Sequence, residues 1–282
     1  MTQLDQAVVL ITGAAGGFGQ ELTRQLLAAN NQLILTDRDA VVLQTNVDRI
    51  QQDVTTGKVL ACFAMDLSSR EGCEALYRDA TALGVAIDVV INNAGIALFG
   101  RMDEVPVEQW ERLMQINLLA PMRLSTLFAA DMIARRRGHI VNISSLAGWV
   151  ATAGLTHYAT SKFGLRGFSE GLHQEVKPYN VQVTAVYPFF SRTPILQSPR
   201  YGTLAQGLEA EGLEGFPSQL ATDPVRVIRS TLQGIRRNQL HVFPDTIAQI
   251  AQRFKRYTPQ LLGWIAATFT RRLSRGADKP HL

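Results

Sequence analysis

Short, continuous apolar runs alternate along the chain with longer stretches whose apolar residues recur every three or four positions. Residues 7–11 (AVVLI) form the first run; a Gly-rich turn follows, then Leu22, Leu26 and Leu27 at helical spacing. The same alternation predicts strands over 32–36, 59–65, 87–91, 139–143 and 181–186, and helices over 38–52, 70–83, 107–134 and 158–176. Strands separated by helices imply a parallel sheet, because parallel neighbours need a crossover, and such crossovers are right-handed. The expected fold class is therefore α/β, a doubly wound, mostly parallel sheet with helices on both faces and a helical C-terminal extension. The stretch 191–221, rich in Pro, Gly, Ser and Glu, reads as a flexible lid over the site and not as a domain boundary. One domain over 1–244 and a basic amphipathic extension over 245–282 are expected.

Composition narrows the classes. With 282 residues, 46% of them hydrophobic, the chain can bury a sizeable core, and disorder is not expected. Its 22 glycines lack a three-residue period, so it is not collagen-like, and two cysteines, Cys62 and Cys73, cannot form a disulfide framework and read as reduced thiols. No uncharged segment is apolar for the ~18–20 residues that a membrane span needs, and the first residues, MTQLDQ, lack the cationic start of a signal peptide. A cytoplasmic protein is expected. The net charge of +4 is unevenly spread. Seven bases against two acids put the segment 245–282 at +5 and leave the remainder at −1, so the body is not built for nucleic acid and the tail has a role of its own.

Thr12, Gly13, Ala14, Ala15, Gly16, Gly17, Phe18 and Gly19 follow the first strand. Glycines let the backbone turn tightly, approach a diphosphate, and start a helix whose N-terminal N–H groups attract the anion. Asp37 closes the second strand, where a carboxylate accepts the hydroxyls of an adenosine ribose and repels a 2′-phosphate, so NAD is favoured over NADP. Two alternatives stand beside that reading: Arg38 meets a phosphate or stacks on adenine, or Asp37 is only a helix cap. Asp66, at the end of the third strand, either caps the next helix or contacts adenine. Asn92, Asn93, Ala94 and Gly95 end the fourth strand on the rim of the ligand crevice or make an ordinary turn.

Tyr158 and Lys162 are spaced i, i+4 and project from one helix face, which is either an ordinary solvated face or a functional pair. A nearby ammonium stabilises a phenolate and lowers the tyrosine pKa, as a general acid or base for a carbonyl–alcohol pair requires. Ser145, with Ser144 as a neighbour that could be mistaken for it, lies just beyond the fifth strand, placed to hold a substrate oxygen. Asn117 is either a satisfied core amide or part of a proton path to Lys162.

Taken in order, TGAAGGFG at 12–19, Asp37, Asp66, NNAG at 92–95, Asn117, Ser145 and YATSK at 158–162 resemble the short-chain dehydrogenase/reductase family over residues 5–245. That resemblance implies a Rossmann-like fold and a nicotinamide-dependent hydride transfer between an alcohol and a ketone or aldehyde. It implies Tyr158 as acid/base, Ser145 orienting the substrate oxygen, Lys162 lowering the Tyr158 pKa and binding the nicotinamide ribose, and Asn117 holding a relay water. Cofactor contacts are implied at Thr12, Gly13, Gly17, Phe18 and Gly19, at Asp37, Arg38, Asp66 and Leu67, at Asn93, Ala94 and Gly95, and at Tyr158, Lys162, Pro188 and Thr193. No metal is called for. A homodimer or homotetramer is implied as well.

The sequence departs from the family where Pro188 is followed by Phe189 instead of Gly, which either puts a ring into the pocket or points it outward. The expected pocket segments, 96–99, 146–155 with Trp149 and Leu155, and 189–196 with Phe189, carry no charge except Arg192. A hydrophobic alcohol or ketone, such as a lipid, retinoid-like, steroid-like or xenobiotic carbonyl, fits best. Ile247, Ile250, Ala251 and Phe254, then Leu261, Leu262, Trp264, Ile265 and Phe269, predict two amphipathic tail helices that either meet an anionic membrane or cover the protein's own body or a partner subunit. The competing functional classes are a dinucleotide-binding sensor without chemistry, a membrane-associated scaffold, and an NADPH-dependent carbonyl reductase.

Overall fold

Seven strands, β1 (Val8–Thr12), β2 (Gln32–Asp37), β3 (Lys58–Ala64), β4 (Val89–Asn92), β6 (Gly138–Ile143), β7 (Val181–Val186) and β9 (His241–Val242), form one sheet in the order β3-β2-β1-β4-β6-β7-β9. Every neighbouring pair is parallel. The computed structural model describes residues 1–210 and 221–258, and residues 260, 263, 264, 267, 268, 270 and 271 beyond them. Alternate side chains of each strand enter opposite cores. Val9 and Ile11 pack with Leu22 and Leu26 of α1 (Gly17–Ala28), Val47 of α2 (Ala40–Asp53) and Val227 of α8 (Pro224–Arg236). Val8 and Leu10 face Leu76 of α3 (Arg70–Thr81), Leu124 and Phe128 of α5 (Ala120–Ala134), and Leu172 of α6 (Thr156–Val176). Each such side chain, removed from water, contributes about 1.5–3 kcal/mol, which explains why the strands read as unbroken apolar runs.

A polar seam interrupts the second core at the carboxyl ends of the strands. The Asn92 amide donates to Asn142 Oδ1 (2.9 Å) and to Ser125 Oγ (3.1 Å), and the Asn142 amide donates to Ser169 Oγ (2.9 Å). It ties α5 and α6 to β4 and β6, satisfying groups that burial would otherwise penalise.

The helix over 107–134 is continuous but not uniform: α4 (Val107–Met114) and α5 are joined by a π turn, Gln115–Leu119, with fully buried Asn117 at its middle. Several elements have no counterpart in the sequence pattern. Besides α8 and β9, β5 (Phe99–Gly100) pairs with β8 (Arg200–Tyr201) in a separate two-stranded sheet. The expected loose lid is therefore structured where described: Ser191 bridges Thr222, a 3-10 turn covers Pro194–Gln197, and α7 (Gly202–Ala210) follows β8. Turn-forming composition suggested a flexible excursion, but the Phe99 N–H finds the Pro199 carbonyl at 3.0 Å and anchors it. Residues 211–220 lie outside the described residues, as does most of the second expected tail helix. The first is α9 (Thr246–Tyr257), capped by Asp245.

His139, on β6, is fully buried between the hydroxyls of Thr2 (2.8 Å) and Thr184 (2.9 Å). Burial pushes its pKa from 6.5 down to about 3. The unfolded chain therefore binds a proton that the fold refuses between those values, and stability is lost as pH falls below 6.5. At pH 5, His139→Gln is expected to retain about 2 kcal/mol of unfolding free energy that the parent loses relative to pH 8, as urea titrations at both pH values would show.

Candidate active site

The strand order reverses between β1 and β4, where the crossovers part and leave a crevice at the carboxyl edge. Gly13 turns off β1 at φ +65°, where a side chain would strike the Ala94 backbone 2.7 Å away. At Gly19 a Cβ would run into the Gly13 carbonyl oxygen, so the glycine lets α1 pack onto the loop. No side chain caps α1, whose first N–H groups are left for an anion. Thr12 is spent on structure. Its hydroxyl accepts the N–H groups of Asn93 and Ala94 at 3.0 Å each, while the Asn93 amide donates to the carbonyls of Thr12 and Gly13. Thr12 and Gly19 thus shape the crevice that their neighbours line.

Most of the other expected groups converge there, while Tyr158, Lys162 and Pro188 border the adjoining pocket. Gly13, Gly17, Phe18, Asp37, Arg38, Asp66, Leu67, Asn93, Ala94, Gly95 and Thr193 line a crevice of about 680 Å³. The Asp37 carboxylate is held at the rim by the N–H of Ala15 (2.9 Å) on one oxygen and of Arg38 (2.7 Å) on the other. The Ser68 N–H draws the Asp66 pKa down, helped by Arg112 and Arg38, so a second anion sits at the adenine end. Thr193 closes over the phosphate loop: a Cβ on Gly17 would lie 2.7 Å from its methyl. A dinucleotide fits this set. There is an uncapped helix start for the diphosphate and a fixed carboxylate for the ribose.

Beyond Thr193 the crevice continues into a pocket of about 310 Å³ bordered by Ser145, Leu155, Tyr158, Lys162, Pro188 and Phe189. Tyr158 and Lys162 share one face of α6, as their spacing requires. The Lys162 ammonium is buried, donates to the Ile143 carbonyl at 3.0 Å, and has its pKa pushed down to about 8 by desolvation. Burial pushes the Tyr158 phenol up and the facing Ser145 hydroxyl draws it part of the way back, while the Lys162 ammonium lies 5.7 Å from the ring centroid. Ser144 also borders the pocket, but its hydroxyl donates to the Lys162 carbonyl at 3.1 Å, leaving Ser145 as the reactive-site hydroxyl.

Asn117 is a satisfied core amide. Its oxygen accepts the Ile96 N–H (2.9 Å) and its nitrogen donates to the Ile96 carbonyl (2.9 Å) and Ser161 Oγ (3.2 Å). Only Gly95 is interposed: a Cβ there would lie 3.3 Å from Asn117 Oδ1 and 3.6 Å from Lys162 Nζ. The side chain thereby positions the loop after β4. Trp149 is not in the pocket. Its ring packs edge-on to Tyr187 and Phe243 beneath the Arg166 guanidinium, 3.3 Å from the ring centroid. Ile247 and Ala251 of α9, by contrast, do line the pocket. Their apolar spacing was visible in the sequence, but nothing local showed which surface it would cover.

The short chain dehydrogenase family profile matches residues 7–202, and the chain belongs to that family of oxidoreductases acting on carbonyl and alcohol groups. It is 30% identical over 250 residues to an acetoacetyl-CoA reductase from Acinetobacter, covering 86% of this chain and 96% of that one. It is 34% identical over 193 residues to bovine 3-ketodihydrosphingosine reductase, covering 68% of this chain and 58% of the relative. Among solved structures, a metagenomic short-chain oxidoreductase in complex with NADP superposes with a TM-score of 0.62 at 34% identity, covering 66% of this chain and 84% of that one.

Because burying the Lys162 charge costs stability at every pH below about 8, with the cost easing as pH rises toward 10.5, Lys162→Met should raise the unfolding free energy at pH 7 by roughly 1–3 kcal/mol. The same change should abolish turnover. Denaturant titration beside an activity assay checks both, and a destabilised variant would contradict this account of the lysine.

Proposed function

We propose that the protein transfers a hydride between NAD(H) and a hydrophobic ketone or alcohol. The observation that carries the cofactor half is the Asp37 carboxylate, fixed by two backbone N–H groups at the crevice rim, where it accepts ribose hydroxyls and repels a 2′-phosphate. The substrate half rests on the pocket: Leu146, Val150, Leu155, Phe189 and Leu196 surround the Ser145 and Tyr158 hydroxyls, with no carboxylate in the lining among the described residues.

When bound, the nicotinamide supplies or takes up the hydride. The chain's own residues manage the oxygen. Ser145 donates a hydrogen bond to the carbonyl oxygen and orients it. Tyr158, kept protonated by burial, gives its proton to that oxygen as the carbonyl becomes an alcohol, and takes it back in the reverse direction. The Lys162 ammonium makes the resulting phenolate less costly and offers a donor to the nicotinamide ribose. Two relatives are named as reductases, of acetoacetyl-CoA and of 3-ketodihydrosphingosine, which supports reduction of a keto group. A second reading is use of NADPH. Arg38 borders the same rim, and the metagenomic relative was solved with NADP.

Fluorescence titration with NADH and NADPH, then turnover across hydrophobic ketones, tests the proposal. NADH should bind at least ~10-fold more tightly than NADPH, a difference of about 1.4 kcal/mol, and Asp37→Ser should erase the preference. A parent preference for NADPH would show that Arg38 decides. Tyr158→Phe should lower turnover ~10²–10⁴-fold with cofactor affinity kept; undiminished turnover would remove Tyr158 from the chemistry.

A further inference from the structure

The basic C-terminal segment reads in sequence as an appendage, yet its first helix is built into the substrate pocket. Ile247 and Ala251, one turn apart on α9, both border the pocket that holds Ser145 and Tyr158. Ile247 is still 37% exposed, so α9 forms the pocket's rim, while Ala248, on another face, is fully buried against the body.

A single carboxylate sets that position. Asp245 is buried, at 7% exposure. One of its oxygens accepts the Ala248 N–H (2.8 Å) and caps α9; the other accepts the Phe189 N–H (2.9 Å), the backbone of the residue that follows Pro188 in the pocket wall. The start of the tail helix and the Phe189 loop are therefore fixed to each other through one side chain. Gln249 adds a third tie, its amide donating to the Phe243 carbonyl at 3.0 Å.

We propose that α9 is the specificity-determining wall of the substrate site: Ile247 and Ala251 receive the apolar body of a bulky or long-chain ketone or alcohol, and Asp245 is the positioning residue that holds the wall against Phe189. The proposal rests on the carbonyl–alcohol reading above. Chemically it selects substrates whose oxygen reaches Ser145 and Tyr158 while a hydrocarbon portion extends to the rim. A side chain enlarged at 251 excludes that portion without touching the crevice that holds the dinucleotide, because neither Ile247 nor Ala251 borders it.

The test is a series of ketones of increasing chain length, assayed with the full-length parent, Ala251→Phe and Asp245→Asn, with cofactor affinity and melting temperature measured alongside. Ala251→Phe should lower kcat/KM for the longest ketones by ~10–100-fold and leave the shortest within about twofold, with cofactor affinity unchanged. Asp245→Asn, which keeps one acceptor oxygen, should raise KM for the long ketones several-fold while kcat holds; Asp245→Glu should recover part of that KM. Equal losses for all chain lengths, or none, would overturn the wall. Should Ala251→Phe fail to fold, Ala251→Leu carries the same comparison. If the parent reduces no ketone, the dehydrogenase reading fails on its own account. The wall is then judged by binding of Nile red, which Ala251→Phe should weaken and which, if unaffected, overturns it.

Discussion

A sheet covered by helices on both faces can meet a ligand only along its edges, and this constraint places nearly every polar side chain of consequence. β1, β2, β4 and β6 are mostly Val, Leu and Ile and turn polar toward their carboxyl ends: Thr12, Asp37, Asn92, Asn142 and Ser144 all lie on this one rim. Buried amides there cannot stand alone, so they bond to one another and to serines on the helices behind. The Asn92–Asn142–Ser169 seam is the result. It gives α6 a fixed height relative to the sheet, and α6 carries Tyr158 and Lys162. The seam beneath the reactive groups holds them through bonds from Asn92 and Asn142 to the serines of α5 and α6.

Lys162 shows what that precision costs. An ammonium withdrawn from water, with one carbonyl for company, is a destabilising choice for a folding chain. It is tolerated because apolar burial on both faces of the sheet supplies stability elsewhere, and it leaves a cation beside a phenol that burial alone would keep neutral. The pair is poised, not pre-ionised, which suits a group that must hold its proton until the carbonyl accepts a hydride.

Local patterns carried most of the fold. The apolar runs and the three-to-four spacing located the strands and helices up to β7 to within a few residues, and the glycine-rich turn, Asp37 and the Tyr158–Lys162 pair could be placed because their meaning depends on near neighbours in sequence. What local pattern does not carry is side-chain direction. Thr12 and Trp149 sit in the right segments, but side-chain direction decided their roles: the Thr12 hydroxyl turned to two backbone N–H groups and the Trp149 ring found Arg166 and Tyr187. Desolvation, which spacing does not encode, sets the net direction of the Tyr158 pKa. The role of α9 was hidden because Asp245 meets Phe189 across 56 positions of chain.

The π turn at 115–119 also says something about how this chain tolerates changes in length. A π turn holds one residue more than the α-helix it interrupts. Losing a residue within it would let α4 run straight into α5 with Leu124, Ser125 and Phe128 still facing the sheet, at the expense of the Asn117 clasp on Ile96. Losing one anywhere in α5 would turn the residues before it by about 100° relative to those after it, carrying apolar side chains into water. Single-residue gaps between this helix and its relatives should therefore gather at one place along its length, and that place is where the loop after β4 is held.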